Sequence, residues 1–246
     1  MTKYFTNNFS IINLHKKPSV KSEIVTQMIY GESFSITKKS KKWLKIKIKD
    51  DNYKGYLKNR NFSFYIKPTH KVKSLKANVY KNFNKKKIVT KLSFGSRIRI
   101  KLSKKNLYLF EKGWIEKKDL VTILYREKDI FRKAKLFLGT KYKWGGKTFK
   151  GIDCSALVQI CMHFNNKYCP RDSKDQMEFF KKKILLKNVI KNDLIFWKGH
   201  VAILTSKRDL IHAYGPLKRT VIMGIKKTIN RIENTANLKV KSIKRV

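Results

Sequence analysis

Tyr142-Lys-Trp144-Gly145-Gly146-Lys-Thr-Phe-Lys-Gly151-Ile-Asp153-Cys154-Ser155 is a glycine-punctuated loop that runs into an apolar helical pattern opening on a cysteine. From Cys154 the apolar residues fall at Leu157, Val158, Cys161 and Phe164, the three-four spacing of a helix with one buried face. A thiol in the first turn lies beside unpaired N–H groups and the positive end of the helix dipole, and Asp153 before it is a capping residue type. Those surroundings favour thiolate over thiol and mark Cys154 as a candidate nucleophile. Free cysteine is also a common small core residue, so the thiol alone decides nothing and the rest of the chain must supply its partners. Gly145, Gly146 and Gly151 permit backbone angles that other residues resist, as a loop folded tightly around a substrate would require.

Working outward, Tyr168-Cys-Pro170-Arg171-Asp172-Ser173 opens a second helix with Asp172 or Ser173 as its cap. Asn192-Asp193-Leu-Ile-Phe-Trp197 reads as an apolar strand, followed by a Lys198-Gly199 turn, His200-Val-Ala-Ile-Leu204 and a return strand Leu210-Ile-His212-Ala-Tyr214. If Thr205-Ser206-Lys207 is a three-residue hairpin loop, His200 and His212 are cross-strand partners on one face; another loop length slides them apart by a step. One imidazole beside a thiol can take its proton, and a second polar group can hold that imidazole in the right tautomer. His200 is the candidate base and His212 the orienter. Upstream, Ile130, Phe131, Ala134, Phe137 and Leu138 share a helical face that Gly139 ends.

The chain has 60 lysines and arginines against 16 acids, a formal net charge of +44. Such a charge ordinarily points to a polyanion. Here the basic residues are mostly lysine and are spread over every segment, which describes a solvated surface and no dedicated groove, so no nucleic-acid partner is expected. Three cysteines do not make a disulfide framework. Cys161 and His163 lie two apart on a helix and point to different sides, so no metal is assigned. No run of about 18 apolar residues occurs, so no membrane span is expected, and the basic start lacks a signal-type apolar run. The expected location is cytoplasmic, with secretion as the alternative; the sequence leaves the oligomeric state open.

The front of the chain is a repeat. Ile24-Val-Thr-Gln-Met-Ile-Tyr-Gly31-Glu32 aligns with Ile88-Val-Thr-Lys-Leu-Ser-Phe-Gly95-Ser96, and each copy closes on a glycine followed by an aromatic, Gly55-Tyr56 and Gly113-Trp114. Trp43-Leu-Lys-Ile-Lys-Ile-Lys49 alternates apolar and basic, a strand with one wet face. Short strands between turns imply small β-barrels. Asn13-Leu-His-Lys-Lys-Pro18, Gly31-Glu32, Trp43 and Gly55-Tyr56 resemble a bacterial SH3 domain, and the second copy is a more divergent match.

Tyr142-x-Trp144-Gly-Gly, Gly151-Ile-Asp153-Cys154-Ser155, Pro170-Arg171-Asp172-Ser173, Asn192-Asp193-Leu-Ile-Phe, Gly199-His200-Val and Ile211-His212-Ala, in that order, resemble the NlpC-type, papain-like cysteine peptidases of bacterial cell walls. The resemblance implies an α+β architecture: a permuted papain-like catalytic domain at residues 125–246, preceded by two SH3-like β-barrels at 1–67 and 68–124. It implies a triad of Cys154, His200 and His212, with Tyr142 at the oxyanion site. The arrangement with SH3 modules resembles γ-D-glutamyl-L-diamino acid endopeptidases that recycle murein peptides. By motif position, Glu32, Tyr53 and Asp172 would then receive a free N-terminal amine, and Ser155 and Ser173 would face the D-glutamyl carboxylate. Trp144 and Asp153 complete the expected substrate-binding set, and nothing requires a cofactor. The pattern departs at Ala156 and Asn192, where the family usually has glycine. The partner is then a small murein peptide. The alternatives are a secreted hydrolase of intact peptidoglycan, a papain-like acyltransferase or amidase, and a catalytically dead polyanion-binding protein.

Overall fold

A computed structural model describes residues 2–246 as two compact units. One runs up to Tyr125 and includes Lys147–Phe149; the other comprises Arg126–Gly146 and Lys150–Val246. No helix among the described residues is long and apolar enough to cross a membrane.

The first unit is built from antiparallel strands in two modules. A seven-stranded sheet takes the strands in the order Ile24–Ile29, Ile11–His15, Lys54–Lys58, Trp43–Ile48, Ser33–Lys39, Tyr4–Thr6 and Ser63–Phe64. The alternation expected at Trp43–Ile48 appears as Leu44, Ile46 and Ile48 turned into a core shared with Leu14, Met28, Phe34 and Leu57. The second module has its own core around Val79, Leu92, Ile98 and Ile115, under a five-stranded and a three-stranded sheet. The aligned turns of the sequence repeat share their backbone geometry: Gly31 and Gly95 each follow a six-residue strand and take left-handed φ, +84° and +80°. At Gly31 a side chain is excluded, because a Cβ would lie 2.0 Å from the Arg97 carbonyl oxygen where the second module meets the first. Tyr53, an expected substrate contact, packs against the core of the first module.

The second unit layers helices on a five-stranded antiparallel sheet ordered Arg219–Gly224, Asp209–Tyr214, His200–Leu204, Leu194–Trp197 and Ser242–Lys244. The cysteine helix, Cys154–Phe164, is buried along its whole length and packs on the two histidine-bearing strands. Three details differ from the sequence reading. The expected helix before Gly139 is a 3-10 segment, Arg132–Phe137: Phe131, Ala134 and Phe137 are buried at a spacing of three, which matches three residues per turn, and Leu138 is exposed. The stretch from Lys226 to the end, to which the sequence assigns no element, forms part of a helix, Ile225–Ala236, and the edge strand Ser242–Lys244 paired to Leu194–Phe196. Asn192 takes φ +75°, the left-handed region that asparagine tolerates better than most residues, so a glycine position is filled without a glycine.

Candidate active site

Asp153 caps the cysteine helix as expected, its carboxylate accepting from the Ala156 N–H at 2.8 Å. The same carboxylate accepts from the Gly145 N–H at 2.9 Å and is gripped by both terminal nitrogens of Arg171, at 3.0 and 2.5 Å. The Ser155 hydroxyl donates to Asp153 at 3.2 Å and accepts from Arg171 at 2.8 Å. Gln176, on the second helix Ser173–Phe179, donates to the Ser155 and Pro170 carbonyls, both at 2.9 Å. This buried cluster corrects the substrate roles expected of Asp153 and Ser155. Their side chains are spent on fixing the first turn that carries Cys154. Arg171 and Gln176 were missed as site-builders, although Arg171 stands inside a quoted motif; a buried arginine is legible only once its carboxylate partner is known.

The glycines also serve a different purpose from the one expected. A Cβ on Gly146 would lie 2.6 Å from the Gly151 carbonyl oxygen, and one on Gly151 would lie 2.6 Å from the Lys143 Cβ. The loop is folded tightly upon itself. Trp144 remains exposed near its tip.

The two histidines come together, with a changed register. Ile203 pairs with Ile211 and Leu204 with Leu210, so the connection is the five residues 205–209 and not three. Three steps further, that register sets Tyr214 opposite His200 and moves His212 one pair along. The shift is two residues in the return strand, which preserves the face because side chains alternate with a period of two. His200 Nε2 and His212 Nδ1 are 2.9 Å apart. Tyr214 stacks on His212 with centroids 4.6 Å apart and planes 11° off parallel.

Because the histidine contact uses Nε2 of His200, its Nδ1 is the nitrogen available to a thiol. The backbone N–H groups of Val201, the residue after His200, and of Ser155 favour the charged form of the Cys154 sulfur. Burial pushes the thiol up to about 12, with the Asp153 charge adding to it and Arg171 opposing. The expectation of a resting thiolate is corrected on this ground: the helix terminus is present, but burial and the neighbouring carboxylate outweigh it. Burial likewise lowers His200 to about 4 and His212 to about 2. Burial thus favours the neutral form of the thiol and of both imidazoles. Tyr142 is half-buried, and burial followed by the proximity of Cys154 raises its hydroxyl pKa, keeping it a donor. The Cys154 N–H, in the first turn, has no acceptor within its own helix.

Asp172 occupies the cap position of the second helix without using its side chain to cap it, and Ser173 is the buried first residue of that helix. Glu32, in the first unit, is not an open carboxylate. It accepts from Lys147 Nζ at 2.6 Å and from the Ile29 N–H at 2.8 Å, and both members of the ion pair are buried. That pairing could not be read from two residues so far apart in sequence.

A thiol at a helix start, an imidazole in contact with a second imidazole, and a tyrosine hydroxyl are the groups that a cysteine-hydrolase site requires. Residues 139–232 match the NlpC/P60 family, and residues 14–61 match the bacterial dipeptidyl-peptidase Sh3 domain. The chain therefore carries an NlpC/P60 peptidase domain together with a bacterial SH3 domain, and it is a hydrolase of the cysteine-peptidase type. It is similar to dipeptidyl-peptidase 6 of Lysinibacillus sphaericus, 25% identical over 82% of this chain and 84% of that protein. It is also similar to a γ-D-glutamyl-L-lysine dipeptidyl-peptidase of Bacillus cereus, 23% identical over 78% of this chain and 68% of that protein. A crystal structure of an NlpC/P60 family protein from Bacillus cereus shares the fold with a TM-score of 0.84, at 20% identity, over 99% of both chains.

Proposed function

We propose that this peptidase hydrolyses the bond between γ-D-glutamate and a diamino acid in free murein peptides such as L-Ala-γ-D-Glu-diaminopimelate, as a step in recycling wall peptides inside the cell. The observation that carries the chemistry is the 2.9 Å contact between His200 Nε2 and His212 Nδ1, on the two strands against which the Cys154 helix packs. The relatives named for dipeptidyl-peptidase activity support the substrate class.

In this reading His200 Nδ1 takes the Cys154 proton as the sulfur attacks the γ-glutamyl carbonyl. The His200 Nε2–H then donates to His212 Nδ1, and that hydrogen bond stabilises the imidazolium formed. The developing oxyanion is met by the Tyr142 hydroxyl and the Cys154 N–H. His200 returns the proton to the departing diamino acid amine, and a water deprotonated by His200 releases the acyl group from the sulfur. Burial that disfavours separated charge in the resting site makes proton transfer concerted with attack. Asp172, at the cap position of the second helix, is the proposed carboxylate for the peptide's N-terminal amine, and Ser173 is the proposed partner of the D-glutamyl carboxylate. Two SH3-like modules in tandem complete the proposed domain plan; matching turns at Gly31 and Gly95 support it.

Purified protein incubated with the free tripeptide releases L-Ala-D-Glu and the diamino acid, and Asp172→Asn raises KM more than it lowers kcat. Hydrolysis of intact sacculi with no turnover of the tripeptide would replace this reading with that of a wall hydrolase.

A further inference from the structure

The second unit presents a surface whose chemistry the peptidase reaction does not use. Lys181-Lys-Lys-Ile-Leu-Leu-Lys-Asn-Val-Ile-Lys191 contains five lysines and no acid. Its backbone is fixed against the edge strand of the sheet: the Ile184 N–H donates to the Ile243 carbonyl at 3.0 Å, and the Arg245 N–H to the Lys182 carbonyl at 3.0 Å. Arg245 also holds the Asn188 carbonyl, at 3.1 Å. Ile184 and Val189 turn inward onto the core of the sheet. With those two inside, the remaining apolar residues face out: Leu185 is 65% exposed, Leu186 46% and Ile190 43%. Single exposed leucines are ordinary, but two in succession with an isoleucine, on a backbone hydrogen-bonded to the edge strand, are not.

The cations around them lack compensation. Lys191 is paired with Asp129, whereas among the described residues Lys181, Lys182, Lys183 and Lys187 enter no ion pair. Lys244, whose strand bridges to Lys183, is held below the ordinary lysine value by burial and then by the charges of Lys183 and Lys181. Like charges are therefore gathered here, with Lys181, Lys182, Lys183 and Lys187 outside any ion pair among the described residues.

We propose that residues 181–191 seat the catalytic unit on an anionic lipid surface, with Leu185, Leu186 and Ile190 entering the headgroup boundary and Lys181, Lys182, Lys183 and Lys187 on acidic headgroups. A soluble polyanion would satisfy the lysines and leave the leucines in water; a neutral apolar partner would do the reverse. An anionic bilayer is the surface that answers both, by apolar insertion and by attraction to its negative potential. This inference is independent of the peptide substrate, since none of these residues belongs to the site around Cys154.

The test is co-sedimentation of the full chain with vesicles of phosphatidylglycerol and phosphatidylcholine, against vesicles of phosphatidylcholine alone, at about 0.15 M salt. The wild type pellets with the mixed vesicles only. Leu185→Ser with Leu186→Ser weakens that binding by about tenfold or more, and so does replacing Lys181, Lys182 and Lys183 by serine. Replacing the exposed Lys38, Lys39 and Lys41 of the first module leaves it unchanged, which separates this patch from the general charge. All variants melt at the wild-type temperature because the altered side chains are exposed. The proposal is overturned if the wild type stays in the supernatant, if the leucine pair is immaterial, or if the control lysines matter equally. Tighter binding to duplex DNA than to the vesicles, insensitive to the leucines, would also overturn it in favour of a polyanion.

Discussion

Asp153 and Glu32 are both carboxylates buried against a cation, one at the head of the cysteine helix and the other in the turn after a strand of the SH3 module. Their cations differ in a way that matters. Arg171 presents a planar fork that grips both oxygens of Asp153 and reaches Ser155 besides, so one side chain sets the orientation of a whole helical turn. Lys147 is a point charge on one oxygen of Glu32, and the Ile29 N–H supplies the other partner. The first arrangement defines direction and serves chemistry; the second neutralises a buried charge and fixes a segment, Lys147–Phe149, to the module.

The comparison breaks most readily at Arg171. Arg171→Ala leaves Asp153 charged and buried, and costs about 3–5 kcal/mol of stability by the usual penalty for removing one partner of such a pair. Denaturant unfolding measures it, and activity falls as well because the first turn loses its fixed geometry. Arg171→Lys recovers part of the stability but not kcat, since an ammonium cannot make the fork; full recovery of kcat would mean that charge alone suffices. Lys147→Met has the next largest effect, because Glu32 and the nearby buried Asp51 lose their cation. Adding Glu32→Gln to Lys147→Met restores most of the lost stability, as removal of both charges usually does. A double variant no better than the single would show that the segment is held by something else.

A smaller effect separates the regions by pH. The folded values of His200 and His212 lie below 6.5, so between there and about 4 the unfolded chain binds more protons than the native one. Their stabilising contribution is therefore complete above about 6.5 and is lost as pH falls towards 4. His200→Gln flattens that slope in a series of melts, whereas the double variant Glu32→Gln, Lys147→Met retains it. For the same reason the acid limb of kcat/KM lies near 4 and not near the ordinary histidine value. Smallest on stability is Tyr142→Phe, which lowers kcat by about a hundredfold while leaving the melting temperature in place.

What could be read without coordinates was local or periodic. The three-four spacing after Cys154, the cap at Asp153, the alternation at Trp43–Ile48 and the glycine turns at 31 and 95 each follow from neighbours within one element. The shared face of the two histidines also survived, because a two-residue change in register preserves alternation. Matters that depend on partners distant in sequence were not legible. Lys147 meets Glu32 across 115 positions, Arg171 meets Asp153 across 18, and the edge strand Ser242–Lys244 joins Leu194–Phe196. The thiol illustrates the limit most sharply: its position in the helix was correctly inferred, and its protonation was not, because burial is a property of everything packed around it.

The most direct measurement follows L-Ala-γ-D-Glu-diaminopimelate and its lysine counterpart by mass spectrometry with wild type, Cys154→Ala and His200→Ala. The wild type alone cleaves after γ-D-glutamate, and alkylation of Cys154 removes activity stoichiometrically. Turnover of either peptide by Cys154→Ala at the wild-type rate would contradict it.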